Sequence, residues 1–312
     1  MKLKEFNHFP VMKNEAVEYL NIKPDGVYAD LTLGGGSHTR EIAAKIKTGR
    51  ILAVDRDGDA IEYSREKLKD FEDKIIFVKD NYANIKEAAN ALGYEKIDGA
   101  LMDCGVSSYQ IDEASRGFSY MRDGALDMRM DREQVLTAAD IINNYEAEKL
   151  RDILYNYGEE RYAGLIIREI IKRRQAKRID TTAELSDIIK YAVRKIKYDG
   201  GHPAKRTFQA VRIAVNEEIS GIGAAVESVV KLLNPGGRFA VISFHSVEDR
   251  TVKRAFARFE KPCVCPPDFP VCACGGKPEV KIITRKPITP GKDELTENSR
   301  SASAKMRVLE KI

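Results

Sequence analysis

Asp30-Leu-Thr-Leu-Gly34-Gly-Gly36-Ser37-His38-Thr39 carries an apolar run through three glycines into a helical stretch. Glycine allows a sharp turn and close approach of a ligand to the backbone, and a helix starting there offers N–H groups. Such a turn, with Gly34 and Gly36 shaping it, suits a nucleotide-like cofactor. It is not a P-loop, because no Gly-Lys-Ser/Thr follows, and Thr39 stands where a dinucleotide fingerprint has its third glycine. The bland alternative is a plain strand-to-helix turn. Asp55 weighs against it. That residue ends the next apolar run, about twenty residues on, where a carboxylate accepts hydrogen bonds from ribose hydroxyls. Asp80, Asn81 and Tyr82 follow a third run and suit an adenine amine and ring face; Asp103 ends a fourth. Together these strand ends describe an adenosine-containing ligand at the carboxyl edge of a sheet. NAD and S-adenosylmethionine both fit, and Asp30 with the missing third glycine favours the second.

The elements that must hold these residues alternate. Gly26–Leu33, Arg50–Asp55, Lys74–Val78 and Ile97–Asp103 read as short buried strands, with helices over Thr39–Ile46, Asp59–Leu68 and Ile85–Leu92. Strand–helix alternation of this kind makes βαβ units and a parallel sheet. After Asp103 the rhythm breaks. Gly105–Arg132 is polar without a period, and Ala138 to about Lys197 turns helical. A helical run from Arg206 reaches Leu233, where Asn234-Pro-Gly-Gly237 closes it. Arg238–Phe244 is again strand-like, Ser246–Phe259 helical, and Val280–Thr284 and Met306–Leu309 are final strands. The expected fold is α/β, a Rossmann-like methyltransferase core with an inserted all-helical domain. Its parts are residues 1–106 and 206–312 for the core and 107–205 for the insertion.

Of 312 residues, 43% are hydrophobic, enough for a large core. No apolar run approaches the roughly 20 residues of a membrane span, and the N-terminus lacks the apolar stretch of a signal peptide. A cytoplasmic protein with no membrane partner is the expectation. Net charge is +4, yet Leu150–Val215 holds fifteen Lys/Arg against eight Asp/Glu. A concentrated basic segment suits a phosphate backbone, although a solvated helix face is the common alternative.

Longer motifs are more specific. DLTLGGGSHTR, AVDRD, LMDCGVSSYQIDEASRGFSYMRDGALDMRM, GEERYA, HPAKRTFQAVRIAVNEE and ISFHSVEDRTVKR resemble the MraW family of ribosomal RNA small-subunit methyltransferases, over nearly the whole chain. The resemblance implies S-adenosylmethionine as cofactor and methylation of the exocyclic N4 of a cytidine in the decoding region of 16S rRNA. It implies cofactor contacts at Ser37, His38, Thr39, Asp55, Tyr82, Asp103 and Gln110. Where other members often have a charged residue and a second glycine before the histidine, this chain reads GGGSHT, and Tyr82 stands where many carry Phe. The implied partner is 16S rRNA within a small-subunit particle, and a homodimer is left open.

The cytosine N4 lone pair is delocalised into the ring, so acceptors must hold its N–H groups out of conjugation. Asp103 and the carbonyls after it are the candidates, and alignment is the main task. His245 reads equally as a partner of the base, near its ordinary pKa of about 6.5, or as part of a helix cap with a Ser246–Asp249 capping box. His38 reads as a helix-capping donor rather than a catalyst. Lys172, Arg173 and Arg174 on a basic helix, with Arg206, Arg212, Arg250 and Lys253, are read as phosphate contacts. Tyr109, Phe118 and Tyr120 are candidates to stack on the base. Cys263, Cys265, Cys272 and Cys274 form two C-x-C pairs, tight for tetrahedral zinc, and the expectation is a proline-stiffened loop of reduced thiols without metal. Cys104 reads as a packing residue.

Three rivals remain. A DNA N4-cytosine methyltransferase would carry an Asn/Asp/Ser-Pro-Pro-Tyr loop where this chain has Asp103-Cys-Gly-Val-Ser-Ser-Tyr109. A dehydrogenase would space its glycines differently. A non-catalytic RNA-binding protein would have no reason to combine Asp55, Asp103 and the glycine turn.

Overall fold

A computed structural model describes residues 10–196, 201–266 and 273–312. The chain forms two compact units, one running to Gly105 and resuming at Ile219, the other spanning Val106–Glu218. Before the insertion come α1 (Lys13–Leu20), β1 (Val27–Asp30), α2 (Ser37–Lys45), β2 (Arg50–Asp55), α3 (Gly58–Lys67), β3 (Ile75–Lys79), α4 (Ile85–Ala91) and β4 (Ile97–Asp103). The second unit holds α5 (Ser108–Asp112), α6 (Ala138–Asn144), α7 (Ala147–Asn156), α8 (Ala163–Ala176), α9 (Thr182–Val193) and α10 (Ala204–Asn216). The first then closes with α11 (Glu218–Leu232), β5 (Leu233–Ser243), α12 (Ser246–Glu260), β6 (Val280–Ile282), α13 (Lys292–Glu297) and β7 (Lys305–Lys311).

The seven strands lie in the order β3-β2-β1-β4-β5-β7-β6. β1 to β5 run parallel, and β7 is antiparallel to β5 and β6. Side chains alternate between two apolar layers: Ile51 and Ala53 pack with Ile42 and Leu68, while Leu52 and Val54 pack with Ile85, Val226 and Phe256. Burial on both faces is why these strands appear as unbroken apolar runs. Strand order reverses between β1 and β4, and the crevice beyond the carboxyl ends at such a switch point is where α/β sheets bind ligands.

The helical run from Arg206 to Leu233 is not one helix. Glu217 takes a left-handed conformation, φ 51°, and separates α10 from α11. α10 buries Phe208, Val211 and Val215 among Leu150, Ile166 and Leu185 of the inserted unit. The insertion therefore returns after Glu218 rather than at residue 205, a correction to the expected boundary. Helices α1 and α13 were not anticipated.

The aperiodic stretch before α6 is held by side chain-to-backbone bonds instead of a repeating apolar face. Buried Arg116 donates to the carbonyls of Arg129 (3.0 Å) and Met130 (2.9 Å). Asn216 accepts from the Met130 N–H (2.8 Å) and donates to the Met128 carbonyl (2.7 Å). Among the described residues no helix is long and apolar enough to cross a membrane.

Candidate cofactor and active site

The two turn glycines have different jobs. Gly34 sits at φ 48°, and a Cβ there would meet nothing nearer than the Thr32 carbonyl at 3.9 Å, so this side stays open. Gly36, at φ 75°, is closed against α3: an added Cβ would lie 2.9 Å from Leu68 Cδ1. It faces packing rather than a ligand. Gly36 also precedes α2 without a side-chain cap, while the Thr39 N–H is bonded to Asp30; the helix begins at half-buried Ser37.

Thr39 is fully buried and its hydroxyl donates to Asp30 Oδ2 at 2.6 Å; Asp30 Oδ1 accepts from the Thr32 N–H at 3.2 Å. Its role is to hold Asp30. Burial pushes the Asp30 carboxyl above its ordinary range, against the opposing pull of His38 and these hydrogen bonds. His38 does not cap the helix. Its Nε2 lies 3.0 Å from the Val11 carbonyl, to which it donates, and its Nδ1 is 3.9 Å from Asp103 Oδ2. Burial lowers its pKa, outweighing the effect of Asp30, and favours the neutral ring.

Asp55 ends β2 and accepts from the Gly34 N–H (2.8 Å) and the Asp57 N–H (2.9 Å). Burial outweighs both bonds and pushes its carboxyl up to about 6. The glycine turn and the strand-end acid are thus one hydrogen-bonded unit. Tyr82 follows β3 and rests on α11: a Cβ at Gly221 would be 2.8 Å from its ring. Asp80 and Asn81 are absorbed in the turn, Asp80 accepting from Asn81 N–H (2.6 Å) and Asn84 Nδ2 (2.8 Å), and Asn81 from Ala83 N–H (3.0 Å).

Asp103 ends β4, beside β1, and its N–H donates to Thr32 Oγ1 at 2.6 Å. Among the described residues, Oδ1 of its side chain is buried without a hydrogen-bond partner. Burial first, then the charges of Asp30, Glu248 and Glu294, raise this carboxyl well above the ordinary range. A carboxylate with an orphaned oxygen among like charges is where a cation or a hydrogen-bond donor gains most.

His245, rather than Ser246, caps α12. Its extended backbone and Nδ1, accepting from the Glu248 N–H at 3.3 Å, form a capping box with the Glu248 side chain, which accepts from the His245 N–H at 3.3 Å and also from the Phe244 N–H at 2.7 Å. The His245 Nε2 lies 3.0 Å from Glu248 Oε1. Thr32, Glu248 and Glu294 border Asp103 and were not singled out in the sequence; Thr32 lies within the quoted glycine motif, and the two glutamates carry no distinctive spacing.

In the inserted unit, Gln110 is buried and completes the capping box of α5 with Ser107 (3.0 and 3.2 Å). The five of the seven expected phosphate contacts that fall in this unit separate. Lys172 is exposed. Arg173 pairs with Glu169 at 2.8 Å and stacks over Tyr191 at 5.3 Å. Arg174 does not point freely to solvent: it donates to the carbonyls of Ile142 and Tyr145, both at 2.8 Å, closing the end of α6. Arg206 donates to the Glu159 carbonyl (3.1 Å), and Arg212 grips Glu218 through two 2.9 Å bonds.

The model of the MraW methylase family matches residues 5–312. This chain belongs to that family. It is 51% identical over 310 residues to the ribosomal RNA small subunit methyltransferase H of Finegoldia magna, covering 99% of each chain. To the protein of the same name from Clostridium botulinum strain Kyoto it is 52% identical over 309 residues, covering 99% of this chain and 100% of that one. That of Lachnospira eligens is 49% identical over 312 residues, covering 99% of each. Within the MraW family frame, the glycine turn, Asp55 and Asp103 lie along one sheet edge, at the carboxyl ends of β1, β2 and β4.

Proposed function

We propose that the chain methylates the exocyclic N4 of a cytidine in the decoding region of 16S rRNA, with S-adenosylmethionine as methyl donor and a small-subunit particle as substrate. The observation that carries this reading is the orphaned, buried Asp103 Oδ1 at the switch point of the sheet. S-adenosylmethionine, when bound, supplies an activated methyl group and positive charge. The acids around Asp103 complement that charge; Asp55 accepts from ribose hydroxyls, Tyr82 offers a ring face, and the start of α2 offers N–H donors. Asp103 accepts an N–H of the cytosine amine and holds its lone pair towards the methyl group, and His245 hydrogen-bonds the base. Alignment by these groups is the chain's contribution to the rate. The relatives' names supply the RNA class, and the basic inserted unit suits it.

The test is to incubate the purified chain with labelled donor and small-subunit particles lacking the modification, then digest the rRNA for nucleoside mass spectrometry. N4-methylcytidine in the decoding-region fragment is expected. Label on a ring carbon, on a ribose or on no nucleoside would sink the proposal.

Two changes on α8 separate RNA contact from scaffold. Replacing Lys172 and Arg173 by Ala should weaken rRNA binding and flatten its salt dependence by about 0.7–0.9 log units per lost phosphate contact. Arg174→Ala should instead lower the melting temperature of the inserted unit, since two helix-end carbonyls lose their charged donor, about 1.5–3 kcal/mol each at most. An unaltered salt slope in the double variant would return this face to a solvated surface.

A further inference from the structure

The connection from α12 to β6 carries a cluster that the methylation chemistry does not use. The Sγ atoms of Cys263, Cys265 and Cys274 all lie within 4.8 Å of one another. Cys263 and Cys274 approach to 3.7 Å. That is far beyond a disulfide bond of about 2.05 Å. It matches the edge of a sulfur tetrahedron about a zinc ion, since a Zn–S bond of about 2.3 Å sets S···S near about 3.8 Å. Cys265 Sγ accepts a hydrogen bond from the Ala273 N–H at 3.3 Å.

Packing does not explain the convergence, because Cys263 and Cys274 are exposed and Cys265 is only partly covered. The ends of the connection are already pinned: the Glu279 N–H donates to the Phe259 carbonyl (2.9 Å), and Glu260 accepts from the Ile282 N–H (3.0 Å) and Arg285 (2.6 Å). The three thiols therefore face one another across a loop of fixed ends. A metal-free reading of this segment rested on the tight C-x-C spacing, but the structure pairs Cys263 with Cys274 across eleven residues. Cys272 lies outside the described residues.

We propose that Cys263, Cys265 and Cys274 hold a structural zinc ion that staples the α12–β6 connection. Three thiolates are soft ligands suited to Zn²⁺, and each loses its proton when the ion binds, so uptake releases protons and weakens at low pH. No redox step is involved.

The full chain, purified reduced and without chelator, should retain about one zinc per chain after gel filtration, as measured by plasma mass spectrometry. Titration with Co²⁺ should give the intense visible bands of a tetrahedral thiolate site; this measurement needs no variant. Cys263→Ser and Cys274→Ser should each lower the retained zinc at least tenfold while circular dichroism stays that of the parent. The proposal is overturned if the reduced parent takes up neither zinc nor Co²⁺ in tetrahedral form. It is equally overturned if the serine variants hold zinc as the parent does, or if the metal found is iron with acid-labile sulfide.

Discussion

Asp103→Asn should lower the single-turnover methylation rate at saturating donor by at least tenfold while changing donor affinity much less. Asn keeps the size and one acceptor oxygen but loses the charge that strengthens a hydrogen bond to the cytosine amine. Tenfold is about 1.4 kcal/mol, within the reach of one charge-assisted bond. The orphaned Oδ1 is the atom at stake. Donor affinity and kcat/KM falling together, with kcat intact at saturation, would leave Asp103 a binding residue only. A stability measurement guards against misfolding. The folded carboxyl is raised above its ordinary value of 3.8, so its contribution to stability is full below that pH and is lost as pH rises through the folded value. The ligand-free Asn variant, spared that ionisation, should melt higher than the parent on the alkaline side. A lower melting temperature there would argue that the carboxylate is structural.

Asp55→Ala should weaken donor binding by about a hundredfold, or about 3 kcal/mol, and leave rRNA affinity unchanged within about twofold. Two losses add: the acceptor for the ribose, and the anchor of the Gly34 and Asp57 N–H groups. Calorimetry showing unchanged donor affinity would remove Asp55 from the site. The same residue sets a pH signature. Its carboxyl, raised to about 6, must be ionised to accept from two hydroxyls, so donor affinity should fall about tenfold per pH unit below that value and level off above it. In the ligand-free protein the sign is opposite: stability is lost as pH rises from 3.8 through about 6, because ionising a buried carboxyl costs more folded than unfolded.

Much of the core was readable because its strands are buried on both faces and end in glycine or acid, which marks both the element and the site. Asp55 and Asp103 were singled out by that position, and the structure places both at the ends of strands. What could not be read depends on partners distant in the chain. Gly36 and Thr39 share the motif of Gly34, yet α3 and Asp30 turn them inward, and nothing in the motif says so. The break at Glu217 is hidden because apolar spacing runs on through Val215, Ile219 and Ile222. Arg174 and Arg212 look like any other cations until the carbonyls and the carboxylate opposite them are known.

The insertion also shapes how the chain comes into being. β4 pairs with β5, and Asp103 faces Ile242 across that ladder, 139 residues later. At about 5–20 residues per second, synthesis leaves the β4 edge open for roughly 7–28 s. During that interval the inserted unit can complete its own core, while an apolar strand waits with unpaired backbone groups that invite pairing with another chain. Nascent chains stalled between Glu218 and Leu233 should therefore bind chaperones through the Ile97–Asp103 strand.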